Sequence, residues 1–263
     1  LGECIFILAN QFADSAREQS IRRVPFRRPK RLKSVLLPII VGLVFQTPTQ
    51  PTASPQEIYS LVRTYKVGDA DRYESIIEIE GQYSAVVRST VLMTVKKVYS
   101  NGDADIETRA EKSTAVVMGQ ATQVPLPKPS TSRYDKIGME YKSTRGIGGM
   151  PNFMRFVQLA GKQGLKVGES VDVTDKSDDA TVNGKFTLVA VKEQVANIRG
   201  DLTVQAKTQA NPYTLQVESF VSVTDGKPLV TSGIVKGLVS DPRAPRVDQI
   251  RFTVSRLSPA QKL

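Results

Sequence analysis

Four carboxylates crowd one short stretch of this 263-residue chain: Asp172, Asp175, Asp178 and Asp179 in VDVTDKSDDA. Oxygen-rich clusters of this kind hold calcium when their spacing follows a defined loop. This spacing follows none, and Lys176 sits among the acids, so the stretch reads as a solvated acidic turn and no metal is assigned. Arg145-Gly-Ile-Gly-Gly-Met150 is the richest glycine run. A phosphate cradle would need a following Lys-Ser/Thr, or a strand–loop–helix unit of a parallel fold. Neither is present, and the run reads as a turn.

What is missing narrows the chemistry further. The chain has no histidine, and its single cysteine is Cys4. Ser-His-Asp and Cys-His hydrolysis, histidine general bases and nearly all zinc catalysis are therefore excluded. An enzyme here would need paired carboxylates, a Ser-Lys pair or a bound cofactor. No catalytic residue and no cofactor is assigned. A histidine-independent hydrolase using paired carboxylates is the alternative to a non-enzymatic role, but sequence cannot select the pair.

The best helix spans Pro151 to Ala160. Proline suits its first turn and Gly161 its end. Phe153, Phe156 and Val157 fall on one face of it. Such a stripe packs into a core, or it gates the concave side of a curved sheet and touches an apolar ligand there. These three residues are the candidate ligand-binding site.

The elements that would position them are strands. Val87, Val91, Met93 and Val95 alternate with Arg88, Thr90, Thr94 and Lys96, the period-two pattern of a half-buried strand. Asn101-Gly102 then signals a hairpin. The return strand is expected to put Ile106, Ala110, Val116 and Met118 inside and Asp105, Glu107, Arg109 and Glu111 outside. Residues 121–134 read as a Pro/Ser/Thr-rich loop, and 136–143 as a strand. Ser54-Pro55-Gln56-Glu57 resembles a helix-capping box, so 54–66 is expected to start helical and continue as a strand. Later strands cover 213–223, 229–239 and 247–257, with a turn at Asp225-Gly226. Lys66-Val67-Gly68-Asp69 is echoed by Lys166-Val167-Gly168-Glu169, which suggests two pseudo-repeated halves, about 58–142 and 151–257.

A leader precedes these strands. Seven basic residues lie between Arg22 and Lys33, and 35–45 is then apolar apart from Pro38 and Gly42. Eleven residues are too few to span a bilayer, which takes about 20, but they fit the apolar core of a signal peptide. Residues 1–53 are therefore expected to be a leader, with 1–31 an over-extended reading frame, and 54–263 a β-rich domain. The expected location is periplasmic or extracellular, with membrane contact only through 35–45 if that segment is left uncleaved. Of the formal charge of +10, half belongs to residues 1–54, with eight basic and three acidic side chains. The remaining charge forms no patch, so no nucleic-acid partner is expected.

The long alternating strands, the K-V-G-D/E turns and the hairpin Thr224-Asp-Gly-Lys-Pro-Leu-Val-Thr-Ser232 resemble uncharacterised exported β-domain families of bacteria. More distantly, they are similar to the lipoprotein carriers of the periplasm. That resemblance implies a curved antiparallel sheet with helices on a concave side that holds acyl chains. The expectation is a mainly β protein: a curved antiparallel sheet or open barrel with one or two short helices. Its expected role is non-enzymatic, as a binding or cell-envelope module for a lipid or other apolar ligand.

Overall fold

The computed structural model describes residues 57–138, 140, 164–176, 180–207, 211–238 and 246–257. Eleven strands form one antiparallel sheet: β1 (Ala70–Gly81), β2 (Ala85–Val98), β3 (Ala104–Val117), β4 (Gln120–Gln123), β5 (Ser130–Tyr134), β6 (Ser170–Lys176), β7 (Ala180–Lys192), β8 (Val195–Ala206), β9 (Tyr213–Ser222), β10 (Pro228–Lys236) and β11 (Val247–Leu257). The order is β4-β3-β2-β1-β11-β10-β9-β8-β7-β6, with β5 also on β3. Along that path each strand pairs its neighbour in sequence except at one seam, where β1 pairs β11 across most of the chain. The edges β4 and β6 do not pair, so this is a curved sheet and not a closed barrel.

The described residues contain no helix. Most of the short helical start expected before a strand near 60–66 lies outside the described residues, and Glu57, Ile58 and Tyr59 are not helical. Leu61 and Tyr65 are buried, while Ile58 and Val62 are exposed, and the segment runs extended with Tyr59 bridged to Leu165. A capping box cannot enforce a helix on residues that a sheet neighbour can pair. The helix expected at 151–160 lies outside the described residues, as do the glycine run 145–150 and most of the strand expected at 136–143.

Alternation sorts the two faces. Ile77, Val87, Phe186, Ile198, Leu202, Tyr213, Leu215, Val217, Val235, Ile250 and Phe252 share one continuous apolar core. Intervening residues such as Arg88, Arg251 and Gln216 face water. The long hairpin is β2 and β3, closed by Asn101 and Gly102, with Gly102 at φ +88°. Its inside set differs from expectation at the far end. A bulge leaves Glu111 without an opposite residue, because Thr90 pairs Lys112 while Val91 pairs Ala110. One extra residue flips every later side chain. Ser113, Ala115 and Val117 therefore point in, and Val116 and Met118 are exposed. The stretch 121–134 is also more ordered than expected, since it carries β5 and most of β4.

Glycines let the core side chains lie flat. A Cβ on Gly200 would sit 2.3 Å from the Phe186 ring, and one on Gly233 would sit 2.5 Å from the Phe252 ring. Each ring occupies the space its glycine leaves, as in sheets curved by glycine and covered by aromatics.

Candidate functional site

The seam between β1 and β11 lies within a groove of about 640 Å³ on the hydrophilic face. Strand register builds it. Ile76, Thr253, Ser232, Glu218 and Arg199 stand opposite one another on β1, β11, β10, β9 and β8. Two residues along, Glu78, Arg251, Ile234, Gln216 and Asp201 form a second row. Five strands at the usual spacing make each row about 19 Å long. The backbone of Gly200, Val217, Gly233 and Phe252 forms the floor between the rows, their side chains being turned to the core side.

Much of this lining is already paired. Glu218 Oε1 accepts from Arg199 Nε and from Asn197 Nδ2, both at 3.0 Å. Asp201 Oδ1 accepts from Gln216 Nε2 at 3.1 Å. Arg251 Nη1 lies 2.5 Å from Glu80 Oε1, and Gln249 also donates to Glu80. The Asn197 hydrogen bond, then the Arg199 guanidinium, hold the Glu218 carboxyl below its ordinary range. Glu78, Ser232 and Thr253 have no side-chain hydrogen bond or ion pair among the described residues, and Ile76 and Ile234 stand in different rows, on β1 and β10, with β11 between them. The groove thus offers paired charged groups, two free hydroxyls, one free carboxylate and two separate isoleucines.

The strap end of the sheet carries a second cluster. The extended segment 57–67 crosses it: Tyr59 exchanges hydrogen bonds with Leu165, Arg63 N donates to Lys136 O at 2.6 Å, and Thr64 N donates to Asp225 O at 3.1 Å. Gly226, at φ +65°, lies against the strap so closely that a Cβ would meet Val62 O at 2.4 Å. Below the strap, Lys227 Nζ, nearly buried, lies 2.7 Å from Asp71 Oδ2 and 3.8 Å from Asp69 Oδ2. Arg256 bridges Asp71 and Asp225 at 2.6 and 2.9 Å. Burial pushes the Asp225 carboxyl up, but the bonds from the Lys227 backbone and Arg256 outweigh it and hold the group below its ordinary value. Burial raises the neighbouring Tyr73 hydroxyl to about 12.

These carboxylates are poor proton donors. Asp105, Glu111, Glu218 and Asp225 are the described carboxylates with displaced pKa values, and all four are displaced downward. A general acid for glycoside cleavage needs the opposite displacement. Among the described residues no group of three or more His, Cys, Asp or Glu side chains could hold a metal ion. Asp172 is exposed and faces Lys185 at 3.7 Å, a solvated pair.

Phe153, Phe156 and Val157 lie outside the described residues. Sequence reading missed Ile76 and Ile234. Their signal was present: Ile76-Ile77 and Ile234-Val235 are adjacent apolar pairs. In an alternating strand one member of such a pair must face water.

Fold and site together define an open, single-sheet antiparallel β domain with a groove on its hydrophilic face. No family model and no curated protein matches the chain. Among solved structures, DynF from the dynemicin biosynthesis pathway of Micromonospora chersina aligns with 84% of this chain and 95% of its own, at 10% identity and a TM-score of 0.21. A superposition this loose carries no argument about shape or role.

Proposed function

We propose that this chain is an exported, non-enzymatic binding module of the bacterial cell envelope, and that the groove across β8–β11 and β1 is where it binds. The ligand is elongated and part apolar, as a lipid with a polar headgroup is. Ile76 and Ile234 take its apolar part, while Ser232, Thr253 and Glu78 meet its polar part. The observation that carries the reading is this mixed lining, in which the two arginines are already paired with Glu218 and Glu80. Prepaired ions lose little on ligand entry, and unpaired hydroxyls and apolar side chains supply the contacts. The volume is within the range of about 300–1,000 Å³ typical of small-molecule sites. Export rests on the basic and apolar run at 27–45.

Native mass spectrometry of the protein purified from its host tests the reading. A small-molecule adduct on the folded chain, lost in Ile234→Glu at unchanged circular dichroism, is expected. An adduct that survives Ile234→Glu, or a chain that carries none, overturns the groove as the site.

A further inference from the structure

The two end strands of the sheet differ in charge. β6 carries Asp172, Asp175 and Lys176 within its seven residues, charges of the kind that keep an open edge from pairing with another chain. β4 carries none. Gln120, Ala121, Thr122 and Gln123 are all exposed, and no described strand pairs their outer side. The uncharged stretch is longer than the strand: Ser113 to Pro127 is fifteen residues without an acid or a base, in a chain that is 24% charged. It also shows apolar side chains to water. Val116 is 40% exposed, Met118 69% and Leu126 48%.

Hydrogen bonding determines which backbone groups of this edge are free. Met118 and Gly119 form a two-residue turn, with φ of +48° and +84°, so Val117 and Gln120 exchange bonds across it. Alternation makes Ala115 and Thr122 the next bonded pair, and Ser113 and Val124 the one after. Val124 N indeed donates to Ser113 O at 3.2 Å. Ala121 and Gln123 lie between these pairs, and their N–H and C=O groups point away from β3. The next outward position is Pro125, which has no N–H to offer. The open edge is therefore two residues long, with Thr122 at its centre.

A second copy of this edge is its complement. When two copies run antiparallel about a twofold axis at Thr122, Ala121 of each faces the partner's Gln123. These two pairs make four backbone hydrogen bonds. A register centred on Ala121 or on Gln123 makes only two between strand residues. Beyond the strand ends the same symmetry sets Met118 toward the partner's Leu126, each four residues from the axis. A different strand could take up the backbone bonds, but a copy supplies this apolar pairing twice. The missing charges let two identical surfaces meet without repulsion.

We infer that two copies of this chain join through β4, continuing one antiparallel sheet across a twofold axis at Thr122. The axis stands perpendicular to the sheet, so both grooves open on the same face. The inference depends neither on the ligand nor on the location proposed above. So small an interface makes a weak, reversible dimer. Sedimentation velocity of the full chain, at concentrations up to about 1 mM, should show monomer giving way to dimer. Ala121→Pro removes an outward N–H and leaves the bonds to β3 in place. Thr122→Lys brings two ammonium groups together on the axis. Each should weaken association at least about tenfold at unchanged circular dichroism.

Cross-linking gives a readout that does not depend on those variants folding. In a Cys4→Ser chain, Thr122→Cys places two thiols within disulfide reach across the axis. Gln120→Cys holds them about 13 Å apart along the strands. Mild oxidation should give an intermolecular disulfide at 122 and none at 120. A chain that stays monomeric at about 1 mM overturns the inference. A dimer that Ala121→Pro and Thr122→Lys leave intact joins through another surface and also overturns it, as does equal cross-linking at 120 and 122.

Discussion

Replacing Lys227 by methionine should destabilise the domain sharply, although the new side chain is nearly as long and keeps the packing of the stem. The Lys227 side chain is 7% exposed and its ammonium sits 2.7 Å from Asp71, itself 16% exposed. Removing one partner of a buried pair leaves the other charge without compensation, at a cost of about 3–5 kcal/mol. Asp71 would keep Arg256 at 2.6 Å, so the lower end applies, about 3 kcal/mol. In a domain of this size each kcal/mol moves the midpoint by about 2–4 °C, so Tm should fall by about 6–12 °C. Thermal and urea unfolding followed by circular dichroism measure this, and the urea slope should stay unchanged. The strap gives a second reading. Thr64 N donates to Asp225 O and Asp225 is held by Arg256, so Thr64 should lose amide-exchange protection in the variant. Asp71→Asn completes a double-mutant cycle in which a coupling of at least about 1 kcal/mol is expected for contacting charges. A loss below about 1 kcal/mol, the size expected of an exposed pair, or strict additivity with Asp71→Asn, would refute the argument that burial makes this pair matter.

The β7–β8 turn should accept improvement: Glu193 and Gln194 take φ of +50° and +62°, which costs an L-residue about 1–2 kcal/mol each, so Glu193→Asn with Gln194→Gly should raise Tm in a thermal melt. Gly233→Ala should cost about 1–3 kcal/mol by urea unfolding, because its Cβ would lie 2.5 Å from the Phe252 ring and 2.8 Å from Gln216 O; Phe252→Leu in the same chain should recover part of that loss. Burial raises the Tyr73 and Tyr134 hydroxyls to about 12. The neutral phenols therefore favour the folded state fully below the ordinary tyrosine pKa of about 10. That contribution fades as pH rises from there through about 12, so an alkaline titration should show their ionisation coinciding with loss of circular dichroism.

Most of the sheet was legible because alternation is a local property. Val87 and Val95 announce their burial by spacing alone, and so do Ile250 and Phe252. The bulge at Glu111 was not legible, since Ala110-Glu111-Lys112 carries no mark of an extra residue. The register there is fixed by β2, which is distant in sequence until the hairpin closes. The start of the strap was misread for a related reason. Ser54-Pro55-Gln56-Glu57 has the composition of a helix start, but Leu165, Lys136 and Asp225 offer the backbone of 59–64 partners that no local signal reveals. The groove was the least visible. Each of its rows takes one residue from each of five strands, and only the register of β1 on β11 brings Ile76 beside Thr253.

That register is also where the fold and the site depend on each other. β1 reaches β11 with no hairpin to guide it, and closing so long a loop is entropically costly. The seam is correspondingly well provided. Ile77 and Ile79 pair Phe252 and Ile250 along it. Arg251 and Gln249 bind Glu80 near one end, and Arg256 binds Asp71 at the other. The two ends are unequal. Glu80 and Arg251 are nearly half exposed, so salt screens them, whereas the pairs on Asp71 are shielded. The groove lies over this seam, taking Ile76 and Glu78 from one side and its remaining lining from the other. A ligand seated there would touch both sides at once and bind only when they are joined, and so would stabilise the seam by mass action.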